Sequence, residues 1–252
     1  MRRLQFEAVG LVCALLIILA LSAFAQHHAA TPQPSLQHAH GTSGAAGQWE
    51  GSPAGKAYSE FNHRLVGVFV LLIGLSELRG AMGVMLLAWT RFLLPAAMLG
   101  AGGYLMIWSD HDAWPIGSLS FTQTVFSDDY ETIQHKLFAI LLLVVGSVEL
   151  LRRMGRARHA AWGAPLPVLA LVGSLMLFLH SHGAHPSAHK IAFHHGMMCT
   201  MAILAGMCKL AADPFQTLAL SGDRVAGARS AWGLAWSALV LLIGVELLLY
   251  TE

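Results

Sequence analysis

The sequence predicts an all-α integral membrane protein: a six-helix transmembrane bundle built from three parallel helical-hairpin repeats. Three observations carry this expectation. Apolar residues make up 56% of the chain and charged residues only 12%, about half the charged share of an ordinary soluble domain, so lipid is the fitting solvent. Six apolar runs, at 62–78, 92–109, 133–151, 164–181, 191–210 and 231–249, reach or approach the roughly 17–25 residues that cross a bilayer as a helix. Basic residues collect in alternate connections between them. Lipid offers open backbone groups no partners, so such runs resolve as helices.

The chain opens MRRLQFEAVGLVCALLIILALSAFAQ. Arg2 and Arg3 form a positive leader, Val9 to Leu21 an apolar stretch, and Ala23-Phe24-Ala25 a small-x-small cleavage site, the pattern of an export signal. Residues 1–25 are therefore expected to be removed; an uncleaved anchor would add a seventh helix. Residues 26–59 are rich in Ala, Gly, Ser, Pro, Gln and His, without helical or strand periodicity, and read as a disordered, His-rich extracytoplasmic tail. Residues 60–252 form the transmembrane domain.

Orientation follows from charge. Arg79 and Arg91 flank the first turnaround, Arg152, Arg153, Arg156 and Arg158 fill the second, and Lys209, Arg224 and Arg229 bracket the third. Such residues stay on the cytoplasmic side. The opposite connections hold Asp110, His111, Asp112, Asp128, Asp129, Glu131 and the run HSHGAHPSAHK. The expected location is a bacterial inner membrane, multi-pass, with both mature termini extracytoplasmic. A net charge of +1 excludes nucleic acid as a partner, because phosphate binding needs a concentrated basic patch.

The chain repeats itself. A shift of 72 positions carries His63 onto His135, Arg64 onto Lys136, Gly74 onto Gly146, Glu77 onto Glu149 and Pro95 onto Pro167. A further 60 carry His135 onto His195, Gly146 onto Gly206 and Glu149 onto Lys209. Steps of eleven and fourteen residues are about three and four helical turns, so histidine, glycine and acid share one face. The glycine admits a neighbouring helix closely. Three imidazoles at one depth, His63, His135 and His195, are a candidate site for a borderline metal. The plainer reading makes them interfacial hydrogen-bonding histidines.

The fourth-to-fifth connection adds His180, His182, His185, His189, His194 and His195 within sixteen residues. At i, i+4 on one helix, His194 faces Met198 and His195 faces Cys199, a soft set that suits Cu(I). Asp110 and His111 align with His182 and Gly183 under the same shift and would sit as a lid over the mouth. Glu77 and Glu149, near the other end, pair with Arg79, Arg152 or Lys209, or mark a proton path. Gln26-His27-His28 at the expected mature start could hold Cu(II) in a square plane. Cys199 and Cys208 stand about 13 Å apart along a helix, too far to bridge, and read as free thiols.

The segments SDHDAWPIG, QHKLFAILLLVVGSVELLRR and LFLHSHG…HKIAFHHGMM resemble bacterial copper-resistance D-type (CopD-like) membrane proteins, over most of the chain after Glu60. That resemblance implies an inner-membrane protein handling periplasmic copper, with a periplasmic copper carrier as a possible partner. It points to His63, His135, His180, His182, His194 and His195. The expectation is therefore a non-enzymatic metal-binding membrane protein with copper, or alternatively zinc, at the outer mouth. Two other classes compete: a cytochrome with a bis-histidine b-type haem, and a scaffold or assembly subunit without a ligand. No nucleophile constellation or phosphate loop suggests catalysis.

Overall fold

The computed structural model describes residues 52–83, 88–126, 129–179, 187–212 and 231–252. The expected signal segment, the tail up to residue 51, and His180, His182 and His185 lie outside the described residues. Every described secondary-structure element is helical. Helix α1 spans Pro53–Ala81. A 3-10 turn at Ala88–Phe92 leads into α2, Leu93–Trp108. After the short α3, Phe121–Val125, come α4, Tyr130–Arg153, a 3-10 turn at Ala160–Gly163, and α5, Pro165–Phe178. Helices α6, Ala188–Ala212, and α7, Ala231–Leu248, complete the set.

Among the described residues five stretches are long and apolar enough to cross a membrane: Ala88–Trp108, Tyr130–Arg153, Ala160–Phe178, Ala188–Ala212 and Ala231–Leu248. The chain is thus an all-α, multi-pass membrane protein. Large apolar side chains such as Phe178, Phe193, Met207, Leu242 and Leu249 point outward and are more than half exposed, which suits contact with acyl chains rather than water.

Local chemistry sets the helix ends. The irregular tail expected to residue 59 gives way to helix at Pro53, because Ser52 Oγ accepts from Gly55 N–H at 3.1 Å and Pro53 fits the first helical turn. Asp129 caps α4 through the N–H groups of Glu131 and Thr132. Pro165 opens α5.

The long helices pack in a closed order: α1 on α2, α2 on α4, α4 on α5, α5 on α6, α6 on α7, and α7 back on α1. The repeat glycines sit in three of these contacts, as the sequence predicts for Gly74 and Gly146. A β-carbon on Gly74 would stand 2.8 Å from Leu241 Cγ of α7; on Gly146, 3.1 Å from Met98 Cβ of α2; on Gly206, 2.9 Å from Leu171 Cγ of α5. Each marks the seam between one helical pair and the one before it around the ring. The core is filled by residues including Leu94, Met98, Leu141, Val145, Met176 and Val240.

This packing separates two kinds of glycine. Gly74→Ala drives a methyl group against Leu241 and should cost about 1–3 kcal/mol, the usual penalty of overpacking. Gly103, with nothing within 4 Å of its β-carbon position, should tolerate alanine and gain up to about 1 kcal/mol from helix propensity. Thermal unfolding of the two variants in detergent checks this; equal shifts would contradict the seam.

Candidate functional site: the histidine-lined mouth

The helices enclose a cavity of about 930 Å³ that reaches from one end of the bundle well into its middle. Its mouth is polar and its shaft apolar. All three repeat histidines, His63, His135 and His195, line it, together with Asp110, His111 and Met198. The sequence-predicted depth match therefore places the three imidazoles on one cavity, although they do not form one cluster.

His63, on α1, has its Nδ1 at 2.8 Å from the Ser59 carbonyl oxygen. A carbonyl only accepts, so Nδ1 carries the proton and, in the neutral ring, Nε2 carries the lone pair. Such fixing of the tautomer by a backbone carbonyl is a common support for a metal-ligating histidine. The His195 ring, buried on α6, lies with its centroid 6.2 Å from that of His63. Tyr250, fully buried after α7, stacks on His63 with ring centroids 3.9 Å apart. Burial first, then the nearby Glu252 carboxylate, holds the Tyr250 phenol above its ordinary range, so it remains a neutral hydroxyl donating to Glu252 at 3.2 Å.

His135 follows a different course. Its Nδ1 meets Asp110 Oδ1 at 2.9 Å, while the Lys136 ammonium stands 3.5 Å from Asp110 Oδ2. Ser109 Oγ also donates to Asp110. Burial pushes the Asp110 carboxyl up, but the His135 imidazole, the Ser109 hydrogen bond and Lys136 outweigh it and hold the group well below the usual carboxylate range. Asp110 belongs to the loop from Ser109 to Ser120, which folds over the mouth: Leu119 N–H donates to the Asp112 carbonyl at 3.0 Å. Gly117 is required there, since a β-carbon would lie 2.0 Å from the Asp112 carbonyl carbon. His111, expected as part of a lid, does line the mouth, but is exposed and pairs with Asp112 at 3.2 Å.

On α6 the two i, i+4 pairs expected from the sequence come apart. His195 and Met198 face the cavity. His194 turns to Glu246 of α7, with Nδ1 at 3.4 Å from Oε1, and Cys199 Sγ donates to the Ser174 carbonyl of α5. Both described cysteines are free thiols. Among the described residues, no group of three or more His, Cys, Asp or Glu side chains converges to hold a metal ion. His180 and His182 lie outside the described residues.

The opposite end is built of charge. Glu77 accepts from Lys209 Nζ at 2.7 Å, Arg153 at 2.8 Å and the Trp236 indole at 3.0 Å. Glu149 accepts from Arg152 and lies 3.6 Å from Arg153. Glu77 and Lys209 occupy matching repeat positions, so a glutamate-to-lysine exchange in the third copy supplies the partner for the first. Of the partners the sequence offers these acids, Arg79, Arg152 and Lys209, the structure gives Lys209 to Glu77 and Arg152 to Glu149. Tyr58, which donates to the Trp108 carbonyl at 2.6 Å and ties α1 to α2, was missed; its position in the Ala-Gly-Ser-rich tail hid it.

In comparison with known proteins, no family model, curated protein or solved structure matches this chain.

The cavity has an energetic consequence. If only half of it stayed empty and dry, at roughly 24 cal/mol per Å³ the cost would be on the order of 10 kcal/mol, comparable to the whole stability of a domain. Water can fill the polar mouth, but apolar cavities exclude it.

The depressed Asp110 carboxyl makes a pH prediction. A group whose folded pKa lies below its unfolded value of about 4 contributes stability that is fully present above that value and is lost as pH falls through the folded one. Asp110→Asn should therefore lower the melting temperature near neutrality, and the gap from wild type should narrow as pH is taken below about 4. A gap that widens on acidification would contradict the assigned sign.

Proposed function

We propose that this chain is a membrane metal-binding protein that holds copper, as Cu(I), at the histidine mouth between His63 and His195, and serves extracytoplasmic copper handling. One observation carries the reading: two cavity-lining imidazoles, His63 and His195, stand with ring centroids 6.2 Å apart. That spacing matches two imidazoles sharing one ion at metal–nitrogen distances of about 2 Å, and binding would turn the two rings out of their 28° stack so that a nitrogen of each points at the ion. Met198, one turn beyond His195 on the same wall, adds a thioether to the set. Two imidazoles and a thioether suit Cu(I) better than zinc, which takes four ligands in closed sites. Among the described residues five carboxylates line the cavity, Asp110, Asp112, Asp129, Glu131 and Glu252, and they outnumber the nearby Lys136, which stands 3.5 Å from Asp110. That field attracts a cation and opposes the propionates of a haem. The likeness to copper-resistance D-type proteins points the same way.

The topology belongs to this reading: six spanning helices in three parallel hairpins, with the histidine end extracytoplasmic. Arg79, Arg91, Arg152, Arg153, Arg156, Arg158 and Lys209 gather at the opposite end of the sequence runs, as retention of positive charge in the cytoplasm requires. A reporter fused after Glu252 should be active outside, and one inserted at Arg156 inside; the reverse pattern would sink this topology.

Protein trimmed of residues 26–51 and purified in detergent should take up one Cu(I) per chain. His63→Ala with His195→Ala should abolish that uptake while the protein still elutes as a folded species. Imidazole must be neutral to ligate, so affinity should fall as pH drops below about 6.5. Full copper occupancy in the double variant, or a Soret band in the purified wild type, would refute the assignment.

A further inference from the structure

The cavity continues well past the histidines, and its lower part has no use for a metal ion. Below the mouth it is walled by Val66, Val70, Phe138, Leu142, Leu169 and Ala202, and Trp236 lines its far end. Tyr58 and Ile73 of α1 both line it and stand fifteen residues apart, about 22 Å along a helix. One leaflet of a bilayer is about half of a hydrocarbon core of ~30 Å, so the shaft can take a single membrane-lipid chain at full length. The buried Trp236 indole, fixed by its bond to Glu77, closes the far end. Beyond it, the charged network of Glu77, Arg153 and Lys209 leaves no apolar continuation.

We infer that this shaft binds a single-chain amphiphile with an uncharged, hydrogen-bonding head, the chain running toward Trp236 and the head lying at the level of Asn62, Ser109 and His135. The chain class follows from length and lining. The head class follows from charge: among the described residues the lining carries five carboxylates, and the ammonium nearest the head, Lys136, is engaged with Asp110 at 3.5 Å, so the lining keeps an excess of negative charge and a phosphate, sulfate or carboxylate head is repelled. Hydrogen-bonding groups are present for a neutral head. Asn62 Nδ2 donates to the Ser109 carbonyl at 3.3 Å, and Tyr104 donates to Asn62 Oδ1 at 2.6 Å, which fixes the amide at the neck of the shaft; an amide nitrogen carries two hydrogens and a carbonyl oxygen two lone pairs, the capacity a neutral head would use. The binding is independent of copper at the mouth, and needs neither His63 nor His195.

The probe is hexadecanol brominated near its methyl end, with the matching alkyl sulfate as the anionic control, added to full-length protein in nanodiscs. Bromine quenches indole on contact, and the emission lost in Trp236→Phe identifies that residue's share. The alcohol should quench more than half of the Trp236 share, saturating at one per chain, and the sulfate should not. Ala202→Phe, which fills the shaft, should weaken the alcohol at least tenfold; Ala170→Phe, on the facing α5 wall, serves if that variant does not fold. Unchanged quenching in the folded shaft-filling variant, equal quenching by the sulfate, or no saturable quenching at all would each overturn the proposal. His63→Ala with His195→Ala should leave the quenching intact, so a failed metal site and a failed shaft give different results.

Discussion

The interior of this protein exists because, among the described residues, the first long helix meets the last. Gly67 and Gly74 of α1 and Gly244 of α7 let the two backbones approach until a β-carbon on any of them would lie within about 3 Å of the facing helix. In lipid there is no hydrophobic drive to bring helices together, so close backbone packing at small residues supplies the attraction. A contact across some 170 residues of chain closes the helices into a ring. Without that closure, His63 and His195 would sit on separate surfaces, and the shaft between α1, α4 and α6 would open to acyl chains.

Closure also forces charge to be settled at the two ends. Glu77 and Glu149 are buried close to the bundle axis at one end, where an unpaired carboxylate would carry a heavy desolvation cost. Arg152, Arg153 and Lys209 answer them within hydrogen-bonding range or close to it. The third copy of the repeat carries lysine where the first two carry glutamate, and that exchange turns a ring of three like charges into a network that can be buried. The mouth follows the opposite rule. Its carboxylates outnumber its cations, and Asp110 is held ionised by His135 and Lys136.

How far the sequence reaches is clearest along the repeat. The match of Gly74 with Gly146 was enough to place both at helix seams, because a glycine repeated at one depth has few other reasons to be there, and Gly206 of the third copy sits in a seam as well. The helical character of every long run followed from lipid alone. What the sequence could not settle was which neighbour each side chain would find. His135 was expected to join His63 and His195, but the loop carrying Asp110 passes above it and takes its Nδ1. On α6 the i, i+4 rule relates His195 to Cys199 correctly as neighbours on a helix, yet says nothing of which arc faces the interior. The arc that does so runs through His195 and Met198, and Cys199 is spent on a carbonyl of α5. The start of α1 at Pro53 was masked by the small, polar composition around it, where a single serine cap outweighs the average.

The two ends together bear on what the bundle can do with a cation. A positive ion is drawn to an acid-lined mouth and there meets imidazoles; the shaft beneath offers it no oxygen or nitrogen ligand over several helical turns. At the far end it would face Arg153 and Lys209 beside Glu77. An apolar stretch closed by ammonium and guanidinium groups is a barrier twice over, first by the lost hydration of the ion and then by like charge. On the proposed reading, a metal would be held at the surface and handed back to the same side, and the shaft would be left to a ligand whose chain, unlike an ion, gains by leaving water.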